Sequence, residues 1–487
     1  MSRCYARSIH SSMIKSKLTD ALKTKVRQRK ESIAVKHDIW IKRNSYYYKQ
    51  LVRTLSFVID KDSRVLHINC STGYILNKLN VAMGVGIDDT EEQIKLARMN
   101  YPHLVFYNSS LDDISIEEKF DYILISHLED VVDIKALLDS IKKNCIPKTR
   151  LITVNYNFFW EPFVKLAELL GLKFTQGLTN WLTVRDVVNF LNLSGYERLL
   201  TRRIVLLPWN IPLLSYIANR FISRLPLING FTLTNVSIAR PLMEANKEFS
   251  VSIVVPCKNE VGNIEDAVKR IPDIGSYTEI IFCDDKSTDG TSDKVREMIE
   301  KYPQKNIRLV DGPGVCKAEN VWAGFDAAKC EILLIMDADL SVIPEELPYF
   351  YEAISKGYGE FINGSRMIYP MQNEAMRFLN AIGNKLFSIM FSYILDTPIK
   401  DTLCGTKAMW KDDFQRIKKL RGSWGVQDRW GDYELIYGAS KIHLKIIDLP
   451  IHYANRTYGE TKMTNRLANS WIMLRMCLTA LLRIKFH

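Results

Sequence analysis

Two stretches of the chain share one rhythm, in which short apolar runs are separated by longer segments of helical period. In the first, Val65–Ile68, Val85–Ile87, Tyr122–Ile125 and Leu151–Val154 read as buried strands, with Glu91–Asn100 and Ile134–Cys145 as helices between them. Arg203–Leu207 and Val236–Ala239 read as two later strands. In the second stretch, strands are expected at Val251–Val255, Ile280–Phe282 and Ile332–Met336. Continuous apolar strands spaced by helices predict doubly wound α/β sheets, whose ligands bind beyond the carboxyl ends of the strands. The polar, charged run Pro241–Glu248 is expected to link them. With 487 residues the chain is too long for a single core. The expected division is a basic arm at 1–50, α/β domains at 51–242 and 249–465, and a C-terminal amphipathic helix at 466–487.

Two segments depart from this rhythm. An apolar insertion runs from Pro208 through Trp209, Leu213, Phe221 and Leu227, and Pro208, Pro212 and Pro226 forbid one continuous spanning helix. Leu467–Phe486 is apolar over much of its circumference, yet its longest charge-free apolar run, Met476–Leu482, is far short of a bilayer span. It reads either as an interfacial helix, with Trp471 and the leucines in the headgroup boundary, or as a terminal helix packed on its own domain. The insertion either shares that membrane surface or packs between domains.

Charge sharpens the picture at one end only. Met1–Arg53 holds fourteen Lys/Arg against three Asp/Glu, which accounts for the whole net charge of +11. Such a leader reads as a solvated, partly helical arm or as a contact for anionic membrane; nucleic acid ranks last as a partner, because no binding motif accompanies the charge. The nine cysteines form no CxxC pair, and no signal-peptide core follows the basic N-terminus. A reducing cytoplasmic setting is therefore expected.

The candidate chemistry concentrates at Asp337-Ala338-Asp339, directly after the apolar strand Ile332–Met336. Two carboxylates at a strand end suit a hard divalent cation shared with a diphosphate. Upstream, Val251–Glu260 and Glu279–Thr291 are strands that open into polar turns; downstream stand Asn363-Gly364-Ser365-Arg366, Asp401–Lys407 and Arg456–Lys462. From about Phe249 onward this set resembles glycosyltransferase family 2, and is closest to dolichyl- and undecaprenyl-phosphate sugar synthases. The resemblance implies a GT-A fold with a nucleotide-sugar donor, and Mg2+ or Mn2+ held by Asp337 and Asp339. Pro256, Glu260, Asp284, Asp285, Lys317 and Arg366 would bind the donor, and Asp401, Arg456 and Lys462 would join the catalytic set. Asp432 and Glu434 are candidates for acid/base work on the acceptor, although Asp432 could equally cap the helix that follows. Lys286 stands where the family has Gly, and Ser341 where lipid-phosphate synthases have a metal-supporting Gln.

Val65–Tyr74 resembles the first motif of class I S-adenosylmethionine methyltransferases, with Gly73 in the loop. Asp88 is implied as the ribose acid and Asp112 or Asp113 as the adenine contact. The resemblance covers about Leu51 to Pro241. His67 replaces the usual acid, and Asn69 and Ser71 fill positions normally Gly, which crowds the loop. The N-terminal domain is thus expected to be a Rossmann-like methyltransferase fold, with S-adenosylmethionine either bound weakly or absent.

Together these readings describe an α/β chain of two domains: an enzyme peripheral to the inner face of the membrane that moves a sugar, with inversion, to a polyprenyl phosphate. The alternatives are a glycan hydroxyl as acceptor, which demands a base, or a non-catalytic scaffold that binds glycan or lipid.

Overall fold

The computed structural model describes residues 2–111, 114–170, 180–242, 247–369, 378–454, 456, 458 and 466–487. Contacts divide the chain into two units, Met1–Leu242 with Phe486–His487, and Met243–Lys485. Asp112 and Lys462 lie outside the described residues.

In the first unit the strands are β1 (Arg64–Ile68), β2 (Met83–Asp88), β3 (Val105–Asn108), β4 (Phe120–Ile125), β5 (Cys145–Tyr156), β6 (Tyr196–Ile204) and β7 (Thr234–Pro241). They form one sheet in the order β3-β2-β1-β4-β5-β7-β6. β1 to β5 run parallel, and β7 is antiparallel to both neighbours. β1, β2, β4 and the later part of β5 are buried on both faces because helices cover them, hence their unbroken apolar runs, whereas the edge strand β3 is largely exposed. Apolar clusters lie on both faces, around Leu76 and Ile94 on one and Leu137 and Leu191 on the other. The helix at Glu91–Asn100 stands where its period predicts. β6 does not match its expectation: it spans Tyr196–Ile204 and ends where Arg203–Leu207 was read as a strand. It is an edge strand in which Glu197, Arg198, Arg202 and Arg203 interrupt the apolar residues, and that mixture hid it.

The N-terminal arm is not a solvated leader throughout. It is a helix, Ser2–Arg43, whose later turns bury Val26, Lys30, Ala34 and Ile41.

In the second unit the strands are β8 (Ser250–Cys257), β9 (Tyr277–Asp284), β10 (Asn306–Asp311), β11 (Ile332–Ile335), β12 (Phe361–Ser365), β13 (Lys407–Trp410) and β14 (Ile446–Pro450). The sheet order is β10-β9-β8-β11-β13-β12-β14. β8 to β11 are mutually parallel, whereas β13 runs antiparallel between β11 and β12. This reversal brings the segment before β13 to the carboxyl end of β11, where Asp337 and Asp339 emerge. The C-terminal helix Arg466–Ala480 buries Met473, Met476, Cys477 and Ala480 in this unit's core and leaves Trp471 and Leu478 exposed. Among the described residues no helix is long and apolar enough to cross a membrane.

Candidate active site

Beyond β11 the chain leaves the sheet, and two carboxylates stand at its lip. Asp337 Oδ1 pairs with Lys317 Nζ at 2.5 Å, the lysine coming from the first position of the Lys317–Ala327 helix. Burial would raise the Asp337 carboxyl, but Lys317, Arg366 and Lys407 hold it below the ordinary carboxylate value. The same acids, Asp337 with Asp432 and Asp339, outweigh burial and raise Lys317. Gly405 lies directly over this pair. A Cβ there would collide with the Asp337 carboxylate and come within 2.7 Å of Lys317 Nζ, so any side chain at this loop position must displace the pair.

Asp339 is buried. Its Oδ1 accepts the Ser341 hydroxyl at 2.6 Å and the Ser341 N–H at 3.1 Å, and its Oδ2 faces Arg456 Nη2 at 3.0 Å. Ser341, where a Gln was expected from the resemblance, thus touches the acid directly. Among the described residues no group of three or more His, Cys, Asp or Glu is gathered for a metal. A hard cation here would take two carboxylates from the chain and its remaining oxygens from a diphosphate, and the donor set fits that division.

Behind this pair lies Lys407, at the start of β13 and fully buried. Its Nζ donates to Asp432 Oδ1 at 2.6 Å and to the Cys404 carbonyl. Burial pushes the Asp432 carboxyl up, against the pull of Lys407 and Lys317. The capping role weighed for Asp432 belongs instead to Asp428. Its Oδ1 accepts the N–H groups of Trp430 and Gly431, and its Oδ2 those of Tyr433 and Glu434, at the start of the Asp432–Lys441 helix.

Two acids of the expected catalytic set point elsewhere. Asp401 is fully buried and accepts a fork from Arg366, with Nε at 2.7 Å and Nη2 at 2.9 Å, plus the Arg366 and Leu403 N–H groups and the Asn384 amide. Despite burial, these donors hold it well below the usual carboxylate range. A carboxylate so engaged has no lone pair to spare for a substrate proton, so its part is to fix Arg366. Glu434 accepts the Gly422 N–H at 3.0 Å, and its charged neighbours are Asp428, Arg421 and Glu319, not the Asp337/Asp339 pair. Lys407 and Asp428 were absent from the sequence-derived set.

Of the residues expected to bind the donor, Asp284 ends β9 and is tied into its own turn by Ser287 and by the Ser292 hydroxyl at 2.5 Å. Asp285 Oδ1 accepts the Gly314 N–H at 2.7 Å, and Lys258 Nζ lies 3.3 Å from its Oδ2. Pro256 lies in β8 opposite Cys283 of β9, and Glu260 accepts the Asn263 amide at 2.7 Å. Lys286 adopts φ 58°, the left-handed conformation that favours glycine, and its side chain lies against Gly314.

The first unit has its own acid at a strand end, but here the arrangement is closed. Asp88, at the end of β2, has no solvent exposure and accepts the N–H groups of Ser71 at 2.9 Å and Thr90 at 3.0 Å. Lys30 of the N-terminal helix reaches in, with Nζ 2.6 Å from Asn69 Oδ1, 2.8 Å from Asp89 Oδ1 and 3.8 Å from Asp88 Oδ1. Asn69 and Ser71 hold φ 58° and 51° although neither is glycine, so the loop keeps its shape while gaining side chains. Gly73, at φ 78°, retains its glycine because a Cβ would meet Phe106 at 2.7 Å. The residues present do not fit S-adenosylmethionine, because the acid that would take ribose hydroxyls is sealed under the chain's own lysine.

Two family profiles match the chain, each within one unit. The profile of glycosyl transferase family 2 matches residues 252–418, and that of a methyltransferase domain matches residues 59–187. The chain is 29% identical over 222 residues to a dolichol-phosphate mannosyltransferase of Pyrococcus furiosus, covering 44% of this chain and 60% of that one. It therefore spans less than two thirds of that relative. An undecaprenyl-phosphate 4-deoxy-4-formamido-L-arabinose transferase of Edwardsiella ictaluri is 25% identical over 236 residues, 47% of this chain and 68% of the relative. The transferase of the same description from Aeromonas hydrophila is 30% identical over 234 residues, again 47% of this chain and 68% of the relative. The N-terminal unit is a methyltransferase fold, the C-terminal unit has the GT-A fold, and the chain belongs to glycosyl transferase family 2.

Proposed function

We propose that the C-terminal unit transfers a sugar from a nucleotide-sugar to a polyprenyl phosphate, with inversion at the anomeric carbon and with Mg2+ or Mn2+ bound. One observation carries this reading: Asp337 and Asp339 stand among Lys317, Lys407, Arg366 and Arg456, while Asp401 is locked in a fork and Asp432 is paired. A phosphate monoester, with a second pKa near 6, arrives already nucleophilic and needs no base. The polyprenyl-phosphate relatives support the same acceptor class.

Asp337 and Asp339 would hold the cation, which when bound neutralises charge on the departing nucleoside diphosphate. Lys317 and Arg456 keep about a third of their side chains exposed and are placed to turn from the acids onto phosphate oxygens. Asp284 and Asp285 face the base and ribose, with Pro256 and Glu260 lining the nucleotide. The acceptor places the enzyme at the cytoplasmic face of a membrane.

A second reading, a glycan hydroxyl acceptor, has one observation in its favour. Burial raises the Asp432 carboxyl towards the range of a working base. The test is to incubate the full chain with labelled UDP- and GDP-sugars, metal, detergent-dispersed polyprenyl phosphate and a soluble glycan acceptor. Label entering the organic phase and stopped by chelator is expected. Label confined to water-soluble glycan would establish the hydroxyl reading, and no transfer from any donor would sink both.

A further inference from the structure

The insertion between β6 and β7 is built inside out. Its short helix Leu214–Arg220 and the 3-10 turn after it bury Ser215, Asn219 and Ser223, spaced four residues apart on one face beside Ala218, whereas Leu214, Tyr216 and Ile217 are exposed. The buried polar groups are employed. Asn219 accepts the N–H groups of Leu206 and Leu207 and donates to the Leu207 carbonyl, and Ser215 donates to the Trp209 carbonyl. An element with a satisfied polar interior and an apolar exterior is built for an apolar surrounding.

Two turns carry its most exposed leucines, and they are alike. Ile211-Pro212-Leu213-Leu214 and Leu225-Pro226-Leu227-Ile228 each put a leucine at positive φ, with φ 62° and ψ −49° at Leu213 and φ 71° and ψ −48° at Leu227. In each, the N–H after the leucine bonds to the proline carbonyl, at 2.7 Å for Leu214 to Pro212 and 2.9 Å for Ile228 to Pro226. These are γ-turns of the rare, strained kind. A branched side chain in such a conformation is strained, and here it is held out to solvent, at 73% and 89% exposure. Glycine would form either turn more readily, so the leucine side chains themselves are what the strain retains.

Charge selects the surrounding. Between Ile204 and Thr234 there is no Asp, Glu or Lys, and the charges are Arg220 and Arg224. Arg220 lies over the rings of Tyr216 and Phe221, at 5.6 and 5.9 Å. Arg53 is close enough for the Arg220 charge, after burial, to lower its pKa. Two neighbouring cations at the rim of an apolar surface match a layer of lipid phosphates.

We propose that this insertion is a membrane-seating surface, in which the Leu213 and Leu227 turns and Trp209 enter the acyl boundary of an anionic bilayer while Arg220 and Arg53 meet lipid phosphates. The inference does not depend on the acceptor assigned above, because seating needs neither donor nor acceptor. The test is flotation of the full chain with phosphatidylcholine vesicles, with and without phosphatidylglycerol. Wild type should float, more strongly with phosphatidylglycerol. The double variant Leu213→Gly/Leu227→Gly relieves both turns, so its melting temperature should hold or rise while partitioning falls by about tenfold or more. Arg220→Gln should weaken the phosphatidylglycerol preference about fivefold. Failure of the wild type to float, or undiminished flotation of the glycine variant, would overturn the proposal. So would self-association of the wild type that the glycine variant abolishes, because the surface would then belong to a second copy.

Discussion

Each unit ends a parallel strand with an acid and sets a lysine of the same chain against it, yet the two pairs differ in what they leave open. At the end of β2, Lys30 and Asp88 keep 6% and 0% of their side chains exposed, with the nearer acid Asp89 at 23%; beyond β11, Lys317 and Asp337 keep 36% and 22%. A sealed pair has no route by which a ligand can replace the lysine, and parting it leaves a buried charge. A part-exposed pair parts at small cost, the lysine turning to a phosphate and the carboxylate to a metal, because both ions remain within reach of water. The difference between a closed cradle and a working one therefore lies less in the acid, which both units keep, than in whether its internal counter-ion can leave.

The largest expected effect removes the acid on the open side. Asp339→Ala should lower sugar transfer at least about 10³-fold, the several kcal/mol a cation supplies to a leaving diphosphate, with circular dichroism unchanged. Full activity with metal present would break the comparison. Next comes the lid over the pair: Gly405→Ala drives a methyl group into Asp337 and should cost about 10²-fold in kcat through misplacement, with melting temperature shifted little.

A smaller effect sharpens the closed side. Lys30→Met should destabilise the protein by about 3–5 kcal/mol near neutral pH, at about 2–4 °C in Tm per kcal/mol for a unit of this size. Burial already raises Asp88, and without Lys30 its pKa rises further. A carboxyl raised in the folded state gives stability that is present at low pH and lost as pH rises through the folded value. The deficit against wild type should therefore shrink on acidification, as Asp88 takes up a proton. A pH-independent deficit would mean that Lys30 serves by packing alone. The smallest effect concerns the acceptor: Asp432→Asn should slow transfer less than about tenfold if the nucleophile is a phosphate, against about 10²–10⁴-fold for a lost base.

Much of this comparison was legible in the sequence. Asp337-Ala338-Asp339 after five apolar residues announced a strand end, and Asn69 and Ser71 at positions normally glycine announced an altered cradle. What closes that cradle was not legible, since Lys30 is one of fourteen basic residues in a leader and meets Asn69 across 39 positions. Lys407 was hidden for a similar reason. It opens the short strand β13, and its partner Asp432 comes 25 residues later, a pairing that only the antiparallel insertion of β13 creates. Asp428 escaped notice because Gly431, at φ 86°, separates it from the helix whose N–H groups it gathers. The β6–β7 insertion showed its apolar content but not its orientation, since periodicity gives which residues share a face and not which face meets protein.

The central claim is that the open pair takes a ligand and the sealed one does not, and calorimetry on the full chain tests it directly. One sample is titrated with UDP- and GDP-sugars in the presence of Mn2+, and again with S-adenosylmethionine. We predict saturable, metal-dependent heat from a nucleotide-sugar, lost in Asp339→Ala, and no saturable heat from S-adenosylmethionine. Micromolar binding of S-adenosylmethionine, with no heat from any nucleotide-sugar, would contradict the account.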